Sequence, residues 1–221
     1  MHLSEKRFNI VNNKINDIIN KKQLKTNPKI IAVTKTHQKN TFSPLLNLGH
    51  VHFGENKMQE AESKWPELKE KYKNIQLHML GKLQTNKARK AVKLFDYIHS
   101  LDNIKLASKL SQFEKELNKK IKIFIQVNIG NEPQKSGISL NELDKFYSYC
   151  IGELSLNIVG LMCLPPLDSQ SKNYFLSLRK AGEKLNLSEF SMGMSSDYED
   201  AIFNGSTFVR IGTELFGERN V

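Results

Sequence analysis

The chain has 221 residues, 39% of them hydrophobic and 25% charged, and a formal net charge of +10. That balance is ordinary for a folded domain, and no apolar run approaches the roughly 20 residues that span a bilayer, which excludes a membrane-spanning class. The lysines lie in scattered pairs such as Lys21-Lys22 and Lys119-Lys120 rather than in a stripe with interleaved aromatics, and even the densest group, within residues 82–93, argues weakly for nucleic acid as the main partner.

Residues 1–25 lack the apolar core and small-residue cleavage site of a secretory signal. Phe8, Val11, Ile15, Ile18 and Ile19 fall instead at helical spacing, which predicts an N-terminal helix within residues 1–27 of a cytoplasmic protein. Short β-branched runs then predict strands at 29–36, 50–54, 76–81, 97–101, 122–129, 157–163, 189–194 and 207–212. Helical patterns occupy 56–72, 103–117, 140–150, 172–185 and 198–203 between them. Eight strands alternating with helices predict an α/β fold, a single-domain (β/α)8 TIM barrel over residues 28–221 with the N-terminal helix as an addition. Cys150 and Cys163 have no CxxC spacing and are read as buried free thiols.

In such a barrel, function gathers where strands end and the following loops begin. Lys35 is the first residue of interest. On a strand, Ile31, Val33 and Lys35 share one face while Ile30, Ala32, Thr34 and Thr36 share the other, so Lys35 follows two core residues inward. An ammonium there must find a partner or lose its proton, and a neutral amine attacks a carbonyl to make a Schiff base. The alternative is a lysine snorkelling out from a strand end. After the seventh strand, Ser191-Met-Gly193-Met-Ser195-Ser196-Asp197 leads into a short helix, and Gly212-Thr213 follows the eighth. Loops after strands seven and eight are the recurrent phosphate site of this fold. Arg210 alternates with Phe208 and Gly212 and is expected to share the interior with Lys35, facing a ring nitrogen or, alternatively, pairing with Glu55 or Glu214 at the rim. An amine for an aldehyde, a cradle for a phosphate and an inward guanidinium are the handles of pyridoxal 5'-phosphate.

The segments around Ala32-Val33-Thr34-Lys35, Phe53-Gly54-Glu55-Asn56, Leu77-His78-Met79-Leu80-Gly81, Gln126-Val127-Asn128, Ser191-Met192-Gly193-Met194-Ser195 and Val209-Arg210-Ile211-Gly212-Thr213 closely resemble the YggS/PROSC family of pyridoxal phosphate homeostasis proteins, in unbroken order from about residue 28 to residue 219. The resemblance implies the barrel of the alanine racemase N-terminal domain, with the cofactor as an internal aldimine on Lys35. It places Ser195, Gly212 and Thr213 at the phosphate, Arg210 at the pyridine nitrogen, and Asn56 and Ser191 in the same cofactor-binding set. His78 belongs to the strand-three motif and is either a cofactor contact or a hydrogen-bonded core histidine. Lys82 and Leu164-Pro165-Pro166 depart from the common pattern at rim positions only.

The resemblance further implies a protein that holds and releases the cofactor in vitamin B6 homeostasis, with apo pyridoxal-dependent enzymes as recipients and no dedicated turnover. An arginine at the ring nitrogen leaves that nitrogen unprotonated and the ring a weak electron sink. The alternative is a small racemase-like amino-acid enzyme. Racemases of this fold take a tyrosine from a second domain and dimer partner, and a chain ending at Val221 is expected to lack it and to be a monomer. Of the tyrosines, only Tyr198 lies in a cofactor loop.

Overall fold

Eight strands hydrogen-bond side by side in chain order, all parallel, and close into a barrel: β1 (Lys29–Val33), β2 (His52–Glu55), β3 (Gln76–Met79), β4 (Tyr97–Leu101), β5 (Lys122–Val127), β6 (Ile158–Cys163), β7 (Glu189–Met194) and β8 (Phe208–Ile211). The structure, a computed structural model, describes residues 1–166 and 170–218. Arg219 and Val221, the ends of the predicted resemblance and barrel, lie outside the described residues. Among the described residues, the outer layer is α1 (Leu3–Lys22), α2 (Lys39–Asn47), α3 (Met58–Lys71), α4 (Ala88–Leu94), α5 (Ile104–Glu116), α6 (Leu140–Gly152), α7 (Ser171–Lys184), α8 (Tyr198–Phe203) and α9 (Thr213–Phe216). The predicted TIM barrel is the observed fold.

Three helices were not legible from periodicity. α2 carries Pro44 in its interior, α4 has seven residues, four of them apolar, and α9 is a single turn. Each is too short to show more than one repeat of the helical period. Strand starts agree within two residues, but several ends come early. β1 stops at Val33 rather than at Thr36 because the chain turns there: Thr34 still donates its N–H to the Gly54 carbonyl at 2.9 Å, while Thr36 takes a left-handed φ of +67°. Lys35 therefore sits in the turn beyond the strand, half-buried instead of buried.

Both faces of a parallel sheet must be covered, and two apolar layers do this. Ile31, Val33, Tyr97, Phe124, Met162 and Phe208 fill the barrel, and the opposite strand faces pack under the helices around Phe53, Trp65, Phe175 and Ile211. Gly160 lets β6 and β7 approach, since a Cβ there would stand 1.9 Å from the Glu189 carbonyl oxygen. The N-terminal helix completes the outer ring. β8 is followed only by the one-turn α9, and α1 lies against α9, α2 and α8, burying Val11 and Ile15 over the seam where β8 meets β1. A capping box starts α1: His2 Nδ1 accepts from the Ser4 N–H and Glu5 accepts from the His2 N–H.

Candidate functional site

A cavity of about 520 Å³ opens at the carboxyl ends of the strands. The pairing of β1 with β8, Ile31 against Arg210 and Ala32 against Ile211, sets the turn that carries Lys35 beside the loop that carries Gly212 and Thr213, and all three line the cavity. Ser195 reaches the same wall through a bulge. Between Ser191 and Met194, β7 spends three residues against two of β8, with Gly193 at φ +93° and a close approach that would put a Cβ 2.6 Å from the Ala201 methyl. The extra residue swings Ser195 and Ser196 into the wall. Asn56 arrives at the end of β2, where Gly81 allows contact: a Cβ on Gly81 would meet the Asn56 carbonyl oxygen at 2.2 Å. Five predicted site residues, Lys35, Asn56, Ser195, Gly212 and Thr213, thus share one cavity with Arg210.

Arg210 is 5% exposed and lies at the cavity floor. Its Nη1 donates to the Ser191 carbonyl at 2.7 Å and to Ser191 Oγ at 2.9 Å, and its Nη2 donates to the Cys163 carbonyl at 2.9 Å. Neither rim carboxylate holds it. Glu55 is buried under the helices, accepting from Thr34 Oγ1, Trp65 Nε1 and Lys64 Nζ, while Glu214 pairs with Lys14. Burial raises the Glu55 carboxyl above its ordinary range despite Lys64. Three hydrogen bonds tie the guanidinium to the protein while the residue lines the cavity. The cavity is cationic: Lys35 and Lys135 join Arg210 on its wall, the latter bonded to the Pro165 carbonyl and to Glu132. Cys150 and Cys163 are buried and unbridged, and burial pushes both thiols up to about 12.

Two residues expected at the cofactor lie one layer beneath it. Ser191 and His78 are each 0% exposed and have no surface on the cavity. They belong to a hydrogen-bonded column inside the barrel that sequence reasoning missed. His52 Nδ1 lies 3.0 Å from His78 Nε2, His78 Nδ1 lies 2.9 Å from His99 Nε2, and His99 Nδ1 lies 2.9 Å from Ser191 Oγ. His78 stacks on Tyr97 at 4.2 Å and His99 on Phe124 at 4.3 Å. The one available signal was a single histidine on each of β2, β3 and β4, which points nowhere until the strands are registered. Among the described residues no group of side chains could hold a metal ion.

Burial lowers His50 and His52 from 6.5 to about 4, and His78 and His99 well below 6.5. The folded protein thus keeps neutral imidazoles where the unfolded chain takes up protons. Stability is full above about pH 6.5 and is lost as the pH falls toward about 4, by up to about 1.4 kcal/mol per pH unit for each enclosed imidazole. Half-exposed His52 contributes less, and the raised carboxyls of Glu55 and Glu189 offset part of the loss. Urea midpoints near pH 7 and near pH 5 check the sum. A lower midpoint at the acid value is expected, and equal midpoints would mean that the enclosed imidazoles do not outweigh the carboxyls.

The barrel with a lysine after its first strand and an inward arginine on its eighth defines the class. The family model described as "Alanine racemase, N-terminal domain" matches residues 14–220. The chain is 37% identical over 201 residues to a pyridoxal phosphate homeostasis protein of Synechocystis sp., covering 86% of this chain and 91% of that protein. It superimposes on PipY of Synechococcus elongatus PCC7942, solved with PLP bound, with a TM-score of 0.84 and 34% identity over 98% of this chain and 100% of that one. Alanine racemase of Clostridium difficile 630 shares the fold, at a TM-score of 0.67 and 18% identity, over 57% of its own length. The chain belongs to the family of pyridoxal phosphate homeostasis proteins.

Proposed function

We propose that this protein binds pyridoxal 5'-phosphate in the cavity and serves to hold and release it in vitamin B6 homeostasis, without a dedicated substrate. The observation that carries this reading is the convergence of an amine, a guanidinium and two loops bearing hydroxyls on one cavity of cofactor size. Lys35 would hold the aldehyde covalently. Ser195 and Thr213 offer hydroxyls, and Gly212 offers backbone with no side chain in the way, for the phosphate. Arg210 would donate to the ring nitrogen, Asn56 would contribute to the ring's surroundings, and Ser191 and His78 would act from beneath the cavity. The cationic wall favours a phosphorylated, anionic guest. When bound, the cofactor supplies a reactive carbonyl and an electron-accepting ring.

A racemase also needs a proton donor on the face of the substrate opposite its lysine. Among the described residues the cavity wall contributes no tyrosine and no carboxylate, and Tyr198, the one tyrosine in a cofactor loop, is buried off that wall. His37 comes from the same turn as Lys35 and packs its ring on Phe216. These features favour a carrier over a racemase. The same reading makes the protein a cytoplasmic one that passes the cofactor to apo-enzymes. Its exposed large apolar side chains are spread over several helices, which supports a monomer, and no helix among the described residues is long and apolar enough to cross a membrane. The test is to incubate the purified protein with the cofactor, record the visible spectrum, and follow L-alanine by chiral chromatography. A coloured protein with no racemisation is expected. Robust racemisation that disappears in Lys35→Ala would sink the carrier reading in favour of the enzyme.

A further inference from the structure

The column beneath Arg210 has a direction that the donor inventory dictates. A guanidinium can only donate, so Ser191 Oγ accepts from Arg210 Nη1. The hydroxyl hydrogen of Ser191, fully enclosed, then needs an acceptor of its own, and His99 Nδ1 at 2.9 Å is the one in reach. With Nδ1 accepting, His99 carries its proton on Nε2 and donates to His78 Nδ1. His78 in turn carries its proton on Nε2 and donates to His52 Nδ1 at the amino-terminal end of β2. The opposite polarity would point His99 Nδ1–H at Ser191 and leave the serine hydrogen unpaired in a dry site, at a cost of about 1–3 kcal/mol. Protonation of His78 on Nδ1 would set that N–H against the His99 Nε2–H, and protonation of His99 on Nδ1 would set it against the Ser191 hydroxyl hydrogen, so the same geometry keeps both rings neutral.

We propose that His99, His78 and His52 form a one-way hydrogen-bond relay whose role is to orient Arg210 toward the cofactor ring. By drawing the Ser191 hydroxyl hydrogen away, His99 leaves the serine oxygen a better acceptor for Arg210, and each further imidazole polarises the one above it. The guanidinium is thereby fixed on three points where it lines the cavity. The histidines are positioning residues that never touch the guest. Sequence distance hid this arrangement, because its members come from β2, β3, β4, β7 and β8.

The role in cofactor binding rests on the function proposed above, but the polarity of the relay does not. Nitrogen-15 NMR of the cofactor-free protein reads the tautomers directly. All three imidazoles are expected neutral with the proton on Nε2 between about pH 6 and pH 8, and a His99 or His78 protonated on Nδ1 or charged there overturns the relay. The second arm compares His99→Phe, which keeps the stack on Phe124 but removes the acceptor, with His99→Gln, which restores one. Affinity for pyridoxal 5'-phosphate is expected to fall about five- to tenfold in His99→Phe, with a changed pH profile of the visible band, and to return to within about twofold of wild type in His99→Gln. Equal affinities and profiles in all three proteins overturn the positioning role. If the wild type binds no cofactor while the tautomers are as stated, the functional reading fails and the positioning role falls with it, but the relay stands.

Discussion

Lys35→Ala, incubated with pyridoxal 5'-phosphate and treated with borohydride, is expected to carry no label and to stay colourless. The wild-type protein is expected to be labelled on the peptide containing Lys35. Two lysines line the cavity, and the structure distinguishes them. Lys35 stands in the turn after β1, next to the loop of Gly212 and Thr213 that would receive the phosphate, whereas Lys135 belongs to the segment between β5 and α6. Losing the tether converts an intramolecular set of contacts into a bimolecular one, so apparent affinity should drop by about a hundredfold or more. Lys35→Arg is the control for charge. It keeps the cation but cannot form the bond, because a guanidinium does not give up its proton. Label on Lys135 in the wild type, or undiminished label in Lys35→Ala, would remove Lys35 from the centre of the site.

The second large effect is on stability. Arg210→Glu places a carboxylate against the Ser191 and Cys163 carbonyls, which are acceptors, in a site with 5% exposure. Two carbonyls lose their donor and a new anion gains none beyond the Ser191 hydroxyl, so a loss of about 3–5 kcal/mol relative to wild type is expected near pH 8. The sign with pH follows from the neutral form. Burial and facing acceptors raise the glutamic acid pKa in the folded protein, so the deficit is largest above that raised value and shrinks as the pH falls toward the ordinary glutamate value of about 4.3. Wild type itself weakens on acidification through its histidines, so the quantity to plot is the difference between the two urea-denaturation free energies at each pH. A deficit that does not change with pH would mean that the new carboxyl has escaped to solvent.

Legibility from sequence followed the range of the interaction. Strand alternation sent Ile31 and Val33 inward, and the structure agrees, but the step to Lys35 assumed two more strand residues than β1 has. The lysine still reaches the cavity because the turn, closed by Thr36 at positive φ, points the same way. The serine and glycine of the seventh-strand motif were visible as types, while the bulge that separates Ser195 on the wall from Ser191 beneath it was not. A bulge is a mismatch between two strands, and one strand alone does not display it. His78 illustrates the same limit: a histidine on an inward position is compatible with a ligand contact or a core bond until the residue facing it is known.

What the residues by themselves determined is everything with a short period or a fixed local preference: eight strands and most of the helices from their spacing, the barrel from the alternation, and the gathering of Lys35, Arg210, Ser195, Gly212 and Thr213 at one set of strand ends. Only the closed barrel decided which of these share a wall. Register between β1 and β8 joined the lysine turn to the Gly212 loop, and closure brought His52, His78, His99, Ser191 and Arg210 within hydrogen-bond reach across more than 150 residues of chain. The physical reason is that a hydrogen bond needs its partners about 3 Å apart, and that proximity is a property of the packed sheet rather than of any segment in it.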